Sequence, residues 1–269
     1  MTERKEINSK DLTATVAFCM ATVLLIPLGQ WILGGLAWVL ALILVLRSPS
    51  IHFRRRFGVL LAMIMLLAIA PINTDRSNEN FLILGSFFLA AIFIPAFVFR
   101  WWGPGIIEWR FWPRTFRWRD VIYVAISIPI GWYLVQLYFF TFTPDLAQQW
   151  PMPKIYSEEA KWRLVIGINL VGIWDELFFV NVVYATMRSV LPARIANPAQ
   201  AVVYTAVLYD MAFIGAGPIL VYLFALTQGG MYESSRNLLW VLIVHLIVDA
   251  FLVVAIMQYY YPDRPMIFH

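Results

Sequence analysis

Apolar runs of membrane-spanning length follow one another along most of this chain, with short polar breaks between them. They lie at 12–29, 34–46, 57–72, 81–99, 121–142, 164–187, 199–226 and 238–258. A helix crosses the hydrocarbon core with about 20 apolar residues, and about 17 can suffice. Lipid offers no partner to backbone N–H and C=O groups, so each run predicts a helix that satisfies its own. The run 199–226 is too long for one ordinary span and contains Gly215-Ala216-Gly217-Pro218. Glycine tolerates unusual backbone angles and proline lacks an amide donor, which predicts a turn here. The turn divides the run into 199–214 and 219–233. One kinked helix is the alternative, so the chain has eight spans or nine. The expected fold class is an all-α, polytopic transmembrane bundle.

Charge supports this reading. Only 13% of the 269 residues are charged, against roughly 25% in soluble domains. The basic residues also alternate. Arg4, Lys5 and Lys10 precede the first run. Arg47 and Arg54 to Arg56 separate the second from the third. Arg100, Arg110, Arg114, Arg117 and Arg119 follow the fourth, and Arg188 and Arg194 follow the sixth. The opposite loops carry few: Arg76 is balanced by Asp75 and Glu79. The loop from 142 to 163 departs slightly, with Lys154, Lys161 and Arg163 against Asp145, Glu158 and Glu159. Cytoplasmic loops are rich in Lys and Arg, so the N-terminus is expected in the cytoplasm. The first run reads as a transmembrane helix and not as a removed signal peptide.

Two segments have simple local readings. From Arg100 to Asp120, arginines interleave with Trp101, Trp102, Trp109, Phe111, Trp112, Phe116 and Trp118, as in an interfacial anchor. Nucleic acid is not an expected partner, because spans bracket this segment. Pro144, Pro151 and Pro153 mark an irregular loop, after which Ser157 can cap a helix that Glu158 and Glu159 begin. Cys19 is the single cysteine, which excludes a disulfide framework or a thiolate metal site.

The residues that invite a function are ionisable groups inside the apolar runs: Asp175, Glu176, Asp210, His245 and Asp249. Such groups are costly in a membrane and usually face a cavity or a partner. Asp175 is twelve residues from Met187, Asp210 eleven from Ala199, and His245 eight from Asn237. At 1.5 Å per residue each lies roughly 12–18 Å in, near mid-membrane. His245 and Asp249 are four apart and share a helical face. Imidazole and carboxylates can hold Zn²⁺ or another divalent ion, with His245, Asp175 and Asp210 as candidate ligands. Either a metal or a carboxylate base can activate water, and carboxylates of this kind also serve proton-coupled transport. On residue chemistry alone, hydrolysis, transport and a structural polar network all remain open.

The segment from Trp174 to Asp249 resembles the CAAX-protease and bacteriocin-processing family of intramembrane proteases, also called the Abi family. That family shows Glu-Glu-x-x-x-Arg, then Phe-x-x-x-His, then His-x-x-x-Asn on successive membrane helices. Here Asp175-Glu176-Leu177-Phe178-Phe179-Val180 stands at the first motif, Tyr209-Asp210-Met211-Ala212-Phe213 at the second, and His245-Leu246-Ile247-Val248-Asp249 at the third. Tyr232 and Asn237-Leu238-Leu239-Trp240 resemble the family's run into its last histidine. Glu176 and His245 keep the pattern. Asp175 replaces a glutamate, Val180 an arginine, Phe213 a histidine and Asp249 an asparagine. The resemblance implies front helices at 1–120, a protease-like core at 121–269, and a bacterial or archaeal cell membrane. It further implies peptide-bond hydrolysis with water activated by Asp175 or Glu176, assisted by His245, Asp210 and Asp249. The expected substrate is a membrane protein or peptide, with lipid as surroundings and the oligomeric state open. The departures at Val180 and Phe213 leave two alternatives: an inactive pseudoprotease that acts as a membrane scaffold, or a proton-coupled transporter.

Overall fold

A computed structural model describes residues 8–73, 77–113, 116–143, 157–212 and 215–260, with side chains undescribed at 210–212, 259 and 260. These residues form nine helices and no strand: α1 Ser9–Leu25, α2 Trp31–Leu46, α3 Ile51–Ala68, α4 Asn78–Trp102, α5 Trp118–Phe142, α6 Glu158–Arg188, α7 Ala193–Ala212, α8 Gly217–Ser235 and α9 Leu238–Tyr260. The all-α transmembrane bundle expected from the apolar runs is what the chain builds. Four helices, α4, α5, α6 and α9, are both long and apolar enough to cross a membrane. The others are shorter or more polar. α1 and α2 have 17 and 16 residues, and α3 carries Arg54, Arg55 and Arg56 in its first turns. α7 and α8 hold Asn197, Gln200 and Gln228, which lie inside the bundle.

The turn expected at Gly215 is present. α7 ends at Ala212 and α8 begins at Gly217. Gly215 adopts φ +59°, a left-handed conformation that glycine accepts at no steric cost. Nine helices therefore replace the alternative of one kinked span. Ser157 caps α6 as expected, its side chain accepting from the Ala160 N–H at 3.1 Å. The prolines at 144, 151 and 153 lie outside the described residues.

The surface is apolar where lipid would lie. Ile32, Leu82, Phe97 and Ile219 are each more than 60% exposed. In water such a surface would drive association; in a bilayer it meets acyl chains. The basic loops gather at one end of the bundle. Ser48 donates to Asp11 at 2.6 Å, Arg56 to the Ser189 carbonyl at 3.0 Å, and Arg117 to the Ser234 carbonyl at 2.7 Å. At the same end Arg55 lies 5.5 Å over the Trp102 ring, while Trp101, Trp112 and Trp118 stand exposed. That distribution suits an interfacial belt.

Helices in lipid associate through packing and buried hydrogen bonds, because tails and side chains are equally apolar. α6 is the hub of that packing. Trp174 stacks on Phe88 of α4 at 3.6 Å between centroids and donates its indole N–H to the Phe88 carbonyl at 2.8 Å. Trp174→Phe keeps the stacking and loses the hydrogen bond, which is worth about 0.5–1.5 kcal/mol. A matching fall in thermal unfolding temperature is expected; an unchanged temperature would show that α4 is anchored elsewhere.

Candidate active site

Apolar α6 carries its polar residues inward through an irregularity of its backbone. From Glu176 to Tyr184 the helix widens into a π-helical stretch, in which residues five apart hydrogen-bond and stack on one face. Such insertions often mark functional positions. Asp175, Glu176 and Asn181 are all buried here. α9 crosses α6 at Gly172. A Cβ at that position would overlap Asp249 Oδ2 and stand 2.8 Å from the His245 ring, so only glycine lets the two helices approach this closely.

His245 is the centre of the resulting cluster. Its Nδ1 lies 2.7 Å from Glu176 Oε1. Glu176 Oε1 also accepts from Gln228 Nε2 of α8 at 2.9 Å, and the same amide donates to the Val241 carbonyl at 2.9 Å. Glu176 is thus clamped from two helices. The Tyr204 hydroxyl of α7 sits 3.2 Å from Nδ1 and beside the Asp175 carboxylate. Phe224 packs edge-on against the imidazole at 5.2 Å. With Glu176 accepting at Nδ1, the ring holds its proton there and turns the Nε2 lone pair the other way.

Nε2 faces Asp175 Oδ2 and Asp249 Oδ1, each at 3.6 Å. That separation exceeds a hydrogen bond, so Nε2 has no direct partner in either carboxylate. Asp175 Oδ1, Glu176 Oε2 and Asp249 Oδ2 are buried without a hydrogen-bond partner in the protein. Four helices therefore converge on one imidazole and three carboxylates, at 6% exposure or less. The layout has a clamped side at Nδ1 and, at Nε2, a side that faces two carboxylates beyond hydrogen-bond reach.

Four of the five candidate residues, Asp175, Glu176, His245 and Asp249, meet at this point. Asp210 falls on α7, with its side chain outside the described residues, as is all of Phe213. What α7 visibly brings is Tyr204. Of the metal trio of His245, Asp175 and Asp210, the third side chain lies outside the described residues. Among the described residues no group of three His, Cys, Asp or Glu is arranged to hold a metal ion. Val180, at the family's arginine position, is fully buried in the apolar core. Gln228 and Tyr204 escaped the reading of the sequence, because an amide and a phenol within apolar runs are ordinary helix-interface residues. Gln228 carried one usable signal: it is four residues before Tyr232 and on the same face.

Residues 157–251 match the family model described as Type II CAAX prenyl endopeptidase Rce1-like. This segment is similar to the Rce1-like domain. It contains all of the cluster around His245 and covers the stretch on which the resemblance to CAAX proteases rests. No curated protein and no solved structure matches the chain. The apolar helices make this a membrane protein, and over 157–251 it is similar to the CAAX prenyl endopeptidases.

Proposed function

We propose that the protein is an intramembrane endopeptidase in which Asp175 activates a water molecule held at His245 Nε2. The observation that carries the reading is the division of the imidazole. Glu176 and Gln228 fix one nitrogen, while the other is directed at two carboxylates too distant to bond it. A water placed there donates one proton to Nε2 and the other to Asp175. As its oxygen bonds the scissile carbonyl carbon, Asp175 takes that proton and returns it to the amine nitrogen when the C–N bond breaks. Glu176 does not touch the water; it positions His245, as a carboxylate behind a histidine does in hydrolases with a catalytic triad. Asp249 bounds the far side of the water position. No step runs through a metal.

The substrate is a membrane protein or peptide presented at the level of the site, and the arginine-rich end of the bundle lies in the cytoplasm. The first test is cleavage of a panel of membrane peptides by purified protein in nanodiscs. General-base catalysis contributes about 10²–10⁴ in rate, so Asp175→Asn is expected to lose at least a hundredfold with its fold intact. A folded wild type that cuts no peptide would favour the pseudoprotease reading, for which the buried Val180 speaks. Carboxylate-dependent proton flux without cleavage would favour transport.

A further inference from the structure

The cluster around His245 continues into a file of polar side chains between α6 and α8. Gln228 donates to Glu176 at 2.9 Å, Tyr232 to Asn181 at 3.1 Å, Tyr184 to Glu233 at 2.9 Å, and Arg188 pairs with Glu233 at 2.9 Å. The two helix periods place these rungs in line. Glu176 and Asn181, five apart, share a face of the π-helical stretch; Gln228 and Tyr232, four apart, share a face of α8. The file ends where Arg188 and Arg236 hold Glu233 at the arginine-rich end. α7 forms its third wall. Gly229 has no side chain, and Asn197 Oδ1 and Gln200 Oε1 press against it; a Cβ there would overlap the first and stand 3.2 Å from the second.

Hydrogen bonding along this file is incomplete within the protein. Asn181 Nδ2, Thr186 Oγ1, Asn197 Oδ1, both amide atoms of Gln200 and Gln228 Oε1 are buried without a protein partner. Asn181, Thr186, Gln200 and Gln228 are fully buried. Native interiors leave few such atoms, and ordered water satisfies those that polar neighbours surround. In an apolar bundle the penalty for leaving them bare is high. Both donors and acceptors are among these atoms, as a water chain needs.

We propose that this file is a water path joining the arginine-rich end to the cluster at His245, with Gln200 as its central contact. It exchanges water and protons with a site whose described ionisable groups are buried. The proposal rests on the hydrolase reading only for the use made of that water.

Hydrogen–deuterium exchange at the imidazole Cε1 position tests it without any catalysis. The protein in nanodiscs is moved into D₂O, and mass spectrometry follows the peptides containing His245 and His52. His52 is exposed at the start of α3 and serves as internal reference. The expected result is His245 exchange within about tenfold of His52 in the wild type, slowed at least fivefold in Gln200→Met. Gln200 makes no side-chain hydrogen bond in the protein, so this variant removes none, and methionine is close to glutamine in size and keeps the packing. Thr186→Val, toward the other end of the file, is the second variant and is expected to slow exchange in the same direction. Thr205→Val, outside the file, leaves the rate unchanged. A wild-type His245 that does not exchange, or equal rates in wild type and both file variants, would overturn the path. The second result would mean that the amides pair with one another instead.

Discussion

A single methyl group added at Gly172 should disable the site. The Cβ of Gly172→Ala would occupy the position of Asp249 Oδ2 and press on the His245 ring. Both side chains lie on α9 and are fixed by burial, so neither can swing aside without moving the other or separating the helices. Overpacking of this kind costs about 1–3 kcal/mol, sometimes more. A misplacement near 1 Å costs about a hundredfold in rate. The expected outcome is a lowered unfolding temperature together with loss of cleavage. Gly167→Ala, five residues earlier on the same helix, meets nothing within 4 Å and should change neither. Equal behaviour of the two variants, read by thermal unfolding in detergent and by the cleavage assay, would refute the close crossing of α6 and α9.

Removing Glu176 should have the largest effect on stability. Its Oε1 accepts from Gln228 and faces the protonated Nδ1 of His245. Glu176→Ala takes the carboxylate from the buried Nδ1–H of His245 and leaves Gln228 Nε2 only the Val241 carbonyl. Breaking a buried ionic or hydrogen-bonded pair from one side costs about 3–5 kcal/mol. Glu176→Gln keeps an acceptor oxygen for both and is expected to recover most of the stability. It should not recover the rate, because a neutral amide holds the imidazole less firmly in the tautomer that leaves Nε2 free. That split between fold and rate separates a positioning role from a purely structural one. A Glu176→Gln protein with wild-type rate would assign Glu176 to structure alone.

The parts of this architecture that were legible in the sequence are those where burial and polarity conflict. Asp175, Glu176, His245 and Asp249 stand out in apolar runs because ionisable groups in lipid need a reason to be there. Their convergence follows from counting residues inward from each helix end. The turn at Gly215 was legible because glycine and proline punctuate the chain. Two determinants of the site were not. The π-helical stretch from Glu176 to Tyr184 has no glycine or proline to announce it, and its residues read as an ordinary apolar helix. Tyr204 and Gln228 are uncharged and occupy positions where interface residues are common. Val180 shows the converse limit. The motif position is occupied by the fold, yet valine brings none of the chemistry an arginine would, so resemblance at that residue carries architecture alone.

The central claim is that Asp175 and His245 act as one unit on water. The measurement that tests it most directly is a double-mutant cycle on peptide cleavage in nanodiscs, using Asp175→Asn, His245→Gln and the pair, each checked for an intact fold. Residues that share one catalytic task are strongly non-additive. Each single variant is therefore expected to lose at least a hundredfold, and the double variant scarcely more than either. Independent, multiplicative losses, or a single variant that still cleaves at the wild-type rate, would contradict the account.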